Sequence, residues 1–349
     1  MIRQSLIAYG EPLAATTTAL PEPQGSEVLI RIASCGVCHS DLHLQDGHFD
    51  LGDGKRLDIT QGRKLPFTLG HEISGFVEKA GPDAGPLDRS AFYAIYPWCG
   101  CGTCERCRKG QEQLCDTPHH LGITKDGGYA SHVLVPHPRY LIDAQGIDRQ
   151  LAGSYMCSGL TAYSAIRKAE RFLPESGALL IVGLGGLGMM GLEIARALTP
   201  ARKYAADVVA AKRETALSLG ALAAFDPAAA DARRSVFKQA GAMDVAIDFV
   251  GSEASLNFAQ SVVGKGGAVI IVGLMGGKFS LPVPMFPLRE LTLAGSYVGS
   301  LDEARALMAL VREGRIRPIP VSERPLAEAN AALADLRAGG VSGRLLLKP

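Results

Sequence analysis

The sequence predicts an α/β protein that combines a doubly wound parallel sheet with a second, mainly β region. The chain of 349 residues is longer than a single hydrophobic core usually accommodates, so two domains are expected. The first 150 residues are dense in short β-like runs and turns, whereas beyond about residue 158 apolar strands alternate with helical segments. Such alternation is typical of a parallel sheet with helices on its faces.

Local periodicity predicts the individual elements. Alternating apolar residues in EVLIRIAS (27–34) and GGYASHVLVP (127–136) predict strands of the first region. The helical segment LTAYSAIRKAERF precedes ALLIVGLGGLGMMGLEIARAL, which is typical of a buried strand, a glycine turn and a helix. Two further buried strands are predicted at 245–250 and 268–274. The chain then ends with a helix, LDEARALMALVREG, and a last strand, GRLLLKP.

Composition and charge exclude several classes of protein. Hydrophobic residues make up 47% and charged residues 20%, as in ordinary soluble α/β proteins. The net charge of +1 is too small to attract nucleic acid or an anionic membrane, so neither is expected as a partner. The N-terminus lacks the pattern of a secretory signal, and no apolar run is long enough to span a bilayer. A cytoplasmic location is therefore expected, where thiols stay reduced.

Five of the eight cysteines lie in one short stretch, CGCGTCERCRKGQEQLC (99–115). Its spacing, C-x2-C-x2-C-x7-C, places four thiolates where they can surround one ion, and four sulfurs around Zn²⁺ give a closed, structural site. Redox-active or incidental cysteines and an iron–sulfur cluster are the alternatives. Cys99 falls outside the spacing and is expected to be a buried thiol. The predicted structural zinc ligands are Cys101, Cys104, Cys107 and Cys115.

A glycine-rich turn, VGLGGLG, follows the apolar strand that ends at Val182 and precedes a helix. Gly183, Gly185 and Gly188 form the G-x-G-x-x-G pattern in the context that a Rossmann dinucleotide site requires. The first glycine makes the turn, the second lets backbone approach a pyrophosphate, and the third allows close helix–strand packing. A glycine turn without a ligand is the alternative.

Asp207 lies 19 residues beyond Gly188, near the offset of the acid that binds the adenosine ribose. A carboxylate there accepts hydrogen bonds from the ribose hydroxyls and repels a 2′-phosphate, which favours NAD over NADP. The surrounding RKYAADVVAAKRE is a poor strand pattern, so Lys203, Arg213 or a shift in register could reverse this preference.

A second metal centre is predicted from CGVCHSDLH (35–43) and GHE (70–72). Cys38 and His71 are ligands suited to zinc, and Cys157 at the junction of the two regions could supply a third. Three protein ligands leave one position open for water or substrate, which is typical of a catalytic zinc. An ordinary buried or surface histidine is the alternative interpretation of His71.

Taken together, these motifs resemble those of the zinc-dependent alcohol dehydrogenases of the medium-chain dehydrogenase/reductase superfamily. The resemblance covers essentially the whole chain and rests on CHSDLH, GHE, the four-cysteine lobe, DGGYA, the junction cysteine, VGLGGLG and GRLLL. It implies a GroES-like catalytic domain with a zinc lobe at 1–152 and 296–349, and a Rossmann NAD-binding domain at 153–295. It also implies two zinc ions per subunit, one catalytic and one structural, and a homodimer or homotetramer.

The implied reaction is reversible hydride transfer from a primary or secondary alcohol to NAD, giving an aldehyde or a ketone. The resemblance makes Cys38, His71 and Cys157 the ligands of the catalytic zinc, Glu72 an acid behind the metal that can act as a transient ligand, and Asp41 the carboxylate that orients His71. Ser40 would hydrogen-bond the alcohol, and His43 would be the outer base of a proton relay.

The resemblance also implies a set of cofactor contacts. His39 and Arg344 would contact the pyrophosphate, Thr161 the nicotinamide, and Lys212 the adenosine ribose. The full set of predicted NAD-binding residues is His39, Thr161, Gly183, Gly185, Gly186, Leu187, Gly188, Asp207, Lys212, Val272 and Arg344.

Two segments depart from the family pattern. Residues 85–96 lack the usual Gly-Asp turn before the lobe, which affects the pocket wall near Tyr96 and Trp98, and residues 199–209 are unusually basic. The charged stretch within 44–68 could be a surface loop, a lid or an oligomer contact.

Three rival functions stay open at this point. The first is an NADP-preferring aldehyde/ketone reductase of the same superfamily. The second, a quinone reductase-like relative without catalytic zinc, would not need Cys38, His71 and Cys157. The third, a zinc-ribbon interaction module, would not need the glycine turn.

Overall fold

The computed structural model describes residues 1–349, which form 18 strands and ten α-helices. The strands are β1 Ile2–Leu6, β2 Ala14–Thr17, β3 Val28–Gly36, β4 His48–Asp50, β5 Arg56–Asp58, β6 Phe67–Thr68, β7 Glu72–Ala80, β8 Tyr93–Ile95, β9 His132–Val135, β10 Leu141–Asp143, β11 Ala178–Val182, β12 Arg202–Ala206, β13 Ala224–Phe225, β14 Met243–Asp248, β15 Val263–Ile271, β16 Thr292–Gly295, β17 Val321–Pro325 and β18 Arg344–Lys348. The helices are α1 His39–Asp46, α2 Glu105–Arg108, α3 Ser158–Ala169, α4 Gly186–Leu198, α5 Ala210–Ser218, α6 Ala232–Gln239, α7 Glu253–Val262, α8 Met285–Arg289, α9 Leu301–Arg312 and α10 Ala329–Arg337.

Six strands form the expected parallel sheet, in the order β13-β12-β11-β14-β15-β16. Every side chain of β11 is buried, as its uninterrupted apolar run predicts for a central parallel strand. The order of the strands reverses between β11 and β14, so a crevice opens at the carboxyl ends of these two strands. In open α/β sheets this is where ligands bind. The prediction of a doubly wound parallel sheet is confirmed.

The weakly patterned segment at 199–209 nevertheless forms a regular strand. β12 pairs with β11 over five residues, from Ala178–Arg202 to Val182–Ala206. Its basic side chains lie at the start of the strand, where the Arg202 guanidinium stands 5.9 Å from the centre of the Tyr204 ring. Lys203 reaches out to the carbonyl of Thr199. Pairing with a buried neighbour thus overrides a poor local pattern.

The second region is built around a seven-stranded sheet of mainly antiparallel pairs, ordered β10-β8-β7-β3-β18-β17, with β9 also paired to β3. β3 and β7 run antiparallel from Val28–Ala80 to Gly36–Glu72. This register places the end of β3 beside the start of β7, and it therefore brings the segment after Gly36 next to His71. β18 completes this corner by pairing Leu346 with Gly36.

The turn before β8 replaces the missing Gly-Asp turn. Asp88 Oδ1 accepts hydrogen bonds from the backbone N–H and the hydroxyl of Ser90, at 2.8 and 2.6 Å. An Asp side chain that bonds the backbone two residues on mimics a backbone turn. β8 then continues towards Tyr96 and Trp98, both of which are buried.

A continuous apolar core joins the two regions, and a smaller core covers the other face of the parallel sheet. No helix of the chain has both the length and the apolar character needed to cross a membrane.

Within the charged stretch at 44–68, β4 and β5 form a two-stranded hairpin that touches the segment after β15. The backbone N–H of Gly277 donates to the carbonyl of Asp50 at 3.1 Å, and Lys278 Nζ lies 2.8 Å from Asp53 Oδ2. Both charged side chains are well exposed, so this ion pair contributes little to stability. The close backbone contact is the firmer link, because a Cβ on Gly52 would lie 2.7 Å from the backbone nitrogen of Lys278.

Two glycines of the hairpin provide a matched test of this contact. Gly52 and Gly54 both have a left-handed backbone, with φ of +76° and +73°, but a Cβ on Gly54 would meet nothing within 4 Å. We expect Gly52→Ala to accelerate amide hydrogen exchange over residues 273–278 by about tenfold, since roughly 1.4 kcal/mol of lost contact corresponds to that factor. Gly54→Ala carries the same backbone strain and should leave exchange there unchanged. Equal exchange in both variants would contradict the contact.

Candidate metal centre and coenzyme site

Four potential metal ligands converge where the two sheets meet. Cys38 is the N-cap of α1, Glu72 begins β7 directly after His71, and Cys157 immediately precedes α3. The donor atoms of these four residues all lie within 4.8 Å of one another. The register of β3 against β7 and the packing of α3 therefore bring together residues that are far apart in sequence.

The surroundings of these donors fit a metal ion. His71 and Glu72 have no exposed surface, yet His71 Nε2 and Glu72 Oε2 have no hydrogen-bond partner in the protein. Buried polar atoms are rarely left unpaired, so two orphaned acceptors beside two thiols indicate an ion as their partner. Two sulfurs, an imidazole and a carboxylate form a donor set suited to zinc.

The charges of the cluster favour a bound cation. The neighbouring Cys157 thiol lowers the pKa of Cys38 well below its ordinary value, although burial opposes this shift. The same interaction, together with burial, raises the pKa of Cys157. A thiolate is the form of cysteine that binds a metal. At least one of the two sulfurs is therefore ready to act as a ligand.

The first turns of α1 carry three of the predicted functional residues. Ser40 Oγ lies 3.8 Å from Cys38 Sγ. The buried Asp41 accepts a hydrogen bond from the Cys38 backbone N–H at 2.9 Å, and its Oδ1 lies 3.3 Å from His71 Nδ1. His43 is half-buried, and burial lowers its pKa. The structure thus brings Ser40 and Asp41 to the cluster and places His43 further along the same helix.

Arg344 links the metal cluster to the coenzyme side of the crevice. Its guanidinium forms a buried ion pair with Glu72 and donates to the carbonyl of Val37 at 2.9 Å. Arg344 also packs on Gly186: a Cβ on this glycine would lie 2.7 Å from Cδ of Arg344. Arg344 therefore stands between the cluster and the glycine turn.

The glycine turn has the geometry that its motif predicts. Gly183 has φ of +88°, and a Cβ on Gly188 would lie 1.8 Å from the carbonyl oxygen of Gly183. Gly185, the N-cap of α4, has open space within 4 Å of its would-be Cβ. The turn is thus tightly packed at Gly183 and Gly188. It is open at Gly185, where a phosphate would approach the N-terminus of α4. Gly186 and Leu187 form the first turn of this helix.

Asp207 follows β12 directly and faces the glycine turn. Its Oδ2 accepts the backbone N–H of Leu184 at 2.7 Å, and its Oδ1 accepts the N–H of Val209 at 2.8 Å. Arg213 donates to the carbonyl of Asp207 and lies 3.4 Å from the carboxylate of Asp226. Asp207 thus lies at the carboxyl end of β12 beside the glycine turn, and Arg213 already has partners.

The other predicted cofactor contacts lie around the same crevice. Thr161 is one helical turn beyond Cys157 in α3, and Val272 follows β15 at the carboxyl edge of the sheet. His39 begins α1; burial lowers its pKa, and the charges of nearby Arg344 and Lys212 act in the same direction. Three basic side chains from different segments are thus close enough to interact electrostatically.

The cysteine lobe holds its four sulfurs in the geometry of a metal site. The donor atoms of Cys101, Cys104, Cys107 and Cys115 lie within 4.8 Å of one another, and the Cys101–Cys107 and Cys104–Cys115 sulfur pairs are each 3.9 Å apart. Sulfurs at tetrahedral positions about 2.3 Å from zinc would be about 3.8 Å apart, whereas a disulfide requires about 2.05 Å. The lobe therefore fits a zinc ion, and none of its cysteines is paired as a disulfide.

Local bonds support the lobe and attach it to the body of the protein. The Thr103 hydroxyl donates to Cys101 Sγ and is the main cause that lowers the pKa of Cys101 to about 5. Buried Glu112 accepts hydrogen bonds from the backbone of Gly100 at 2.9 Å and from the hydroxyl of Tyr140 at 2.5 Å. Cys99 is fully buried outside the cluster, as expected.

The sequence places Trp98 at the pocket wall but does not reveal its ring contacts beside the buried cluster. The Trp98 ring lies 5.5 Å from that of His71, 5.4 Å from His120 and 5.8 Å from Tyr297. Tyr297 is 41% exposed, and its neighbour Val298 has a left-handed φ of +34°, which is strained for a β-branched residue. Burial lowers the pKa of His120 to about 4. No motif marks His120 or Tyr297, because only the fold brings them to Trp98.

A Rossmann sheet with a phosphate-binding turn, set against a buried cluster of thiols, imidazole and carboxylate, defines a class of protein: a metal-binding oxidoreductase that uses a dinucleotide. Comparisons with known proteins narrow this class. Residues 24–145 match the profile of the alcohol dehydrogenase GroES-like domain, and residues 186–313 match that of the zinc-binding dehydrogenases.

Full-length relatives agree with these profiles. The chain is 37% identical over 347 residues to an NAD-dependent alcohol dehydrogenase of Sulfurisphaera tokodaii, and 36% identical over 349 residues to one of Saccharolobus solfataricus; each comparison covers 99% of both chains. The crystal structure of the alcohol dehydrogenase of Aeropyrum pernix superposes with a TM-score of 0.90 at 33% identity over 100% of both chains. The protein belongs to the zinc-dependent alcohol dehydrogenase family of the medium-chain dehydrogenase/reductase superfamily.

The lobe geometry leads to a prediction about stability. We expect Cys104→Ser to release the metal from the lobe and to lower the melting temperature, because metal binding there is part of local folding. Thr103→Val is the matched control, since it removes a donor to Cys101 but keeps all four sulfurs. Metal analysis and thermal unfolding check both variants. If Cys104→Ser kept its full metal content and melting temperature, the lobe would not be a metal site.

Proposed function

We propose that the protein is a zinc-dependent alcohol dehydrogenase that reversibly transfers a hydride from a primary or secondary alcohol to NAD and yields an aldehyde or a ketone. The observation that carries this proposal is the convergence of Cys38, His71, Glu72 and Cys157 beside the carboxyl edge of a Rossmann sheet. Membership of the family supports zinc and NAD as the cofactors.

Cys38, His71 and Cys157 would hold the catalytic zinc, with Glu72 as a further donor that Arg344 also binds. When bound there, zinc supplies a Lewis acid for the alcohol oxygen, which lowers the pKa of the alcohol. NAD supplies the hydride acceptor. The protein positions both groups by the contacts that join β3, β7, α3 and the glycine turn.

Residues of α1 would carry the alcohol proton to solvent. Ser40 lies beside Cys38 and would accept a hydrogen bond from the alcohol. His43 is three residues further on, on the same side of the helix. Because burial lowers its pKa, His43 is neutral near pH 7 and would accept the proton that Ser40 passes on.

The coenzyme would extend from the metal cluster to Asp207. The N-terminus of α4, His39 and Arg344 would contact the pyrophosphate, and Thr161 and Val272 the nicotinamide. Asp207 and Lys212 would contact the adenosine ribose. The partners of Arg213 leave it less free to bind a 2′-phosphate, which supports NAD as the preferred coenzyme.

We assign a second, structural zinc to the lobe, which makes two per subunit. The catalytic domain would comprise residues 1–152 and 296–349, and the coenzyme domain residues 153–295; the membership of the two large sheets supports this division. The substrate would be a small alcohol, aldehyde or ketone. A cytoplasmic location suits a protein that holds metals through thiolates.

The protein would form a homodimer or a homotetramer. β16 is an edge strand of the parallel sheet, and edge strands present unpaired backbone groups to another chain. Val283 and Leu288, in the segment before β16, are 78% and 69% exposed. A second copy of the chain would cover both features.

The β4–β5 hairpin would act as a bridge at the edge of the crevice rather than as a free surface loop. Its Phe49 ring lies 4.7 Å from His43, and its tip contacts Gly277 in the segment that follows Val272. Movement of the hairpin would therefore affect both the proton relay and the nicotinamide side of the site.

The catalytic assignment is tested by Cys38→Ser. We expect alcohol oxidation to fall by about a thousandfold or more, because the Lewis acid contributes several kcal/mol to the transition state. NADH binding, followed by fluorescence titration, should remain near normal, since the coenzyme domain supplies most of its contacts. Cys99→Ser, at a buried thiol outside both clusters, is the control and should stay active. Near-normal turnover by a Cys38→Ser protein depleted of zinc would refute the assignment.

Coenzyme choice is tested at Asp207. We expect kcat/KM to favour NAD over NADP by about a hundredfold, since roughly 2.7 kcal/mol of repulsion between the carboxylate and a 2′-phosphate corresponds to that ratio. Asp207→Gly should reduce the preference sharply, mainly through the two KM values. Because the carboxylate also binds the N–H groups of Leu184 and Val209, Asp207→Asn is a useful companion that removes the charge but keeps the size. Equal use of both coenzymes by the unmodified protein would contradict the role of Asp207.

A further inference from the structure

Tyr129 is a buried phenol at the metal cluster to which neither the motifs nor the proposed mechanism gives a role. It lies in the DGGYA segment and has no exposed surface. Its hydroxyl donates a hydrogen bond to Asp41 Oδ2 at 2.8 Å. Asp41 in turn faces His71, so the phenol is two contacts away from a metal-binding atom.

The backbone fixes the phenol relative to His71. The N–H of Gly128 donates to the carbonyl of Gly70 at 2.7 Å, and the N–H of Tyr129 donates to the carbonyl of Leu69 at 2.9 Å. Gly70 has φ of +92°, and a Cβ there would lie 2.4 Å from Cδ1 of the Tyr129 ring. The ring thus packs directly on the residue that precedes His71 and cannot move independently of it.

The hydrogen bonds of Asp41 divide its two carboxylate oxygens between different tasks. Oδ2 accepts the Cys38 backbone N–H at 2.9 Å and the Tyr129 hydroxyl at 2.8 Å. Oδ1 has no such bond and lies 3.3 Å from His71 Nδ1. Two donors on one oxygen fix the rotation of the carboxylate, and this leaves the other oxygen to the imidazole.

The orientation of this carboxylate determines which nitrogen of His71 can bind a metal. A carboxylate beside Nδ1 keeps the proton on that nitrogen, and the lone pair of Nε2 is then free for the ion. Neither ring nitrogen of His71 has a hydrogen-bond partner in the protein; Nδ1 lies beside Asp41 Oδ1, which leaves Nε2 for the ion. Burial raises the pKa of Tyr129, so the phenol remains a donor to Asp41.

We propose that Tyr129 is a positioning residue for the catalytic metal: its hydroxyl fixes the rotation of the Asp41 carboxylate and thereby holds His71 with Nε2 directed to the ion. This inference rests on the proposed function, because it requires the ion at Cys38, His71 and Cys157. A phenylalanine would fill the same space but would leave Oδ2 with the Cys38 N–H alone.

Tyr129→Phe tests the inference. The zinc-loaded protein is treated with a chromophoric chelator, and the released zinc is counted over time. We expect the zinc of the catalytic cluster to leave about tenfold faster, because residues that orient a metal ligand typically contribute 10- to 100-fold to metal affinity. The zinc of the lobe should leave at an unchanged rate and serves as the internal control. Tyr204→Phe, which removes a buried phenol from β12, should change neither rate.

Cobalt substitution distinguishes positioning from general stabilisation. We expect the visible absorption bands of Co²⁺ in the catalytic cluster to shift in Tyr129→Phe and to stay unchanged in Tyr204→Phe. If Tyr129→Phe only lowered the melting temperature, with unchanged Co²⁺ bands and zinc release, the phenol would have a packing role and the inference would be wrong.

A second variant preserves the donor. With 4-aminophenylalanine at position 129, zinc release should lie within about threefold of the unmodified rate, well below the tenfold effect expected for loss of the donor. This result supports the inference even if Tyr129→Phe does not fold. Zinc release about tenfold faster than from the unmodified protein would overturn the inference.

If the unmodified protein bound zinc only in the lobe, the proposed function itself would fail. If it bound both ions and oxidised alcohols but Tyr129→Phe behaved normally, only the role of Tyr129 would be lost.

Discussion

The position of the metal cluster relative to the glycine turn depends on Arg344, which forms a buried ion pair with Glu72 and packs against Gly186. Glu72 starts β7 beside His71, whereas Arg344 starts β18 and lies against Gly186 of the glycine turn. The side chains of Glu72 and Arg344 are almost completely buried, so each charge is compensated by the other rather than by water. Removing one partner of such a pair typically costs about 3–5 kcal/mol, because the remaining charge is left uncompensated. The pair therefore fixes the distance between the metal cluster and the place where a coenzyme phosphate would bind.

Close backbone approach makes this pair possible. A Cβ on Gly36 would lie 2.1 Å from Glu72 Oε2, and a Cβ on Gly153 would lie 2.4 Å from the carbonyl oxygen of Glu72. A Cβ on Gly186 would similarly lie 2.4 Å from the carbonyl oxygen of Gly343. Any side chain at these positions would separate β3, β7, α4 or β18 from its neighbour. The site is thus positioned by dense packing of three chain segments around one glutamate.

The sequence predicts those parts of this arrangement that are encoded at short range. The spacing of the cysteines in the lobe and the glycines of the turn constrain the local backbone directly, and both segments have the expected geometry. β12 was harder to predict because its start is basic and only its pairing with β11 makes it a strand. Tyr129, His120 and Tyr297 could not be assigned, since their positions depend on contacts such as Tyr129 Oη to Asp41 across 88 positions of the chain. The bridge from the hairpin to Lys278 spans 225 positions and has no local signal at all.

The two clusters of potential metal ligands differ in what holds their donors. In the lobe every donor is a sulfur, and the backbone N–H groups of Cys101, Cys104 and Cys107 each donate to a neighbouring sulfur. Four protein sulfurs would fill every position around a tetrahedral ion, which is typical of a closed, structural centre. In the buried cluster Arg344 binds one carboxylate oxygen of Glu72, so an ion and a guanidinium would share that group. Cys38, His71 and Cys157 would then hold the ion most firmly, and the position beside Glu72 would be the one available to a substrate oxygen. The carboxylate at this position is thus held by an arginine that lies 272 positions from its glutamate, at the start of the last strand.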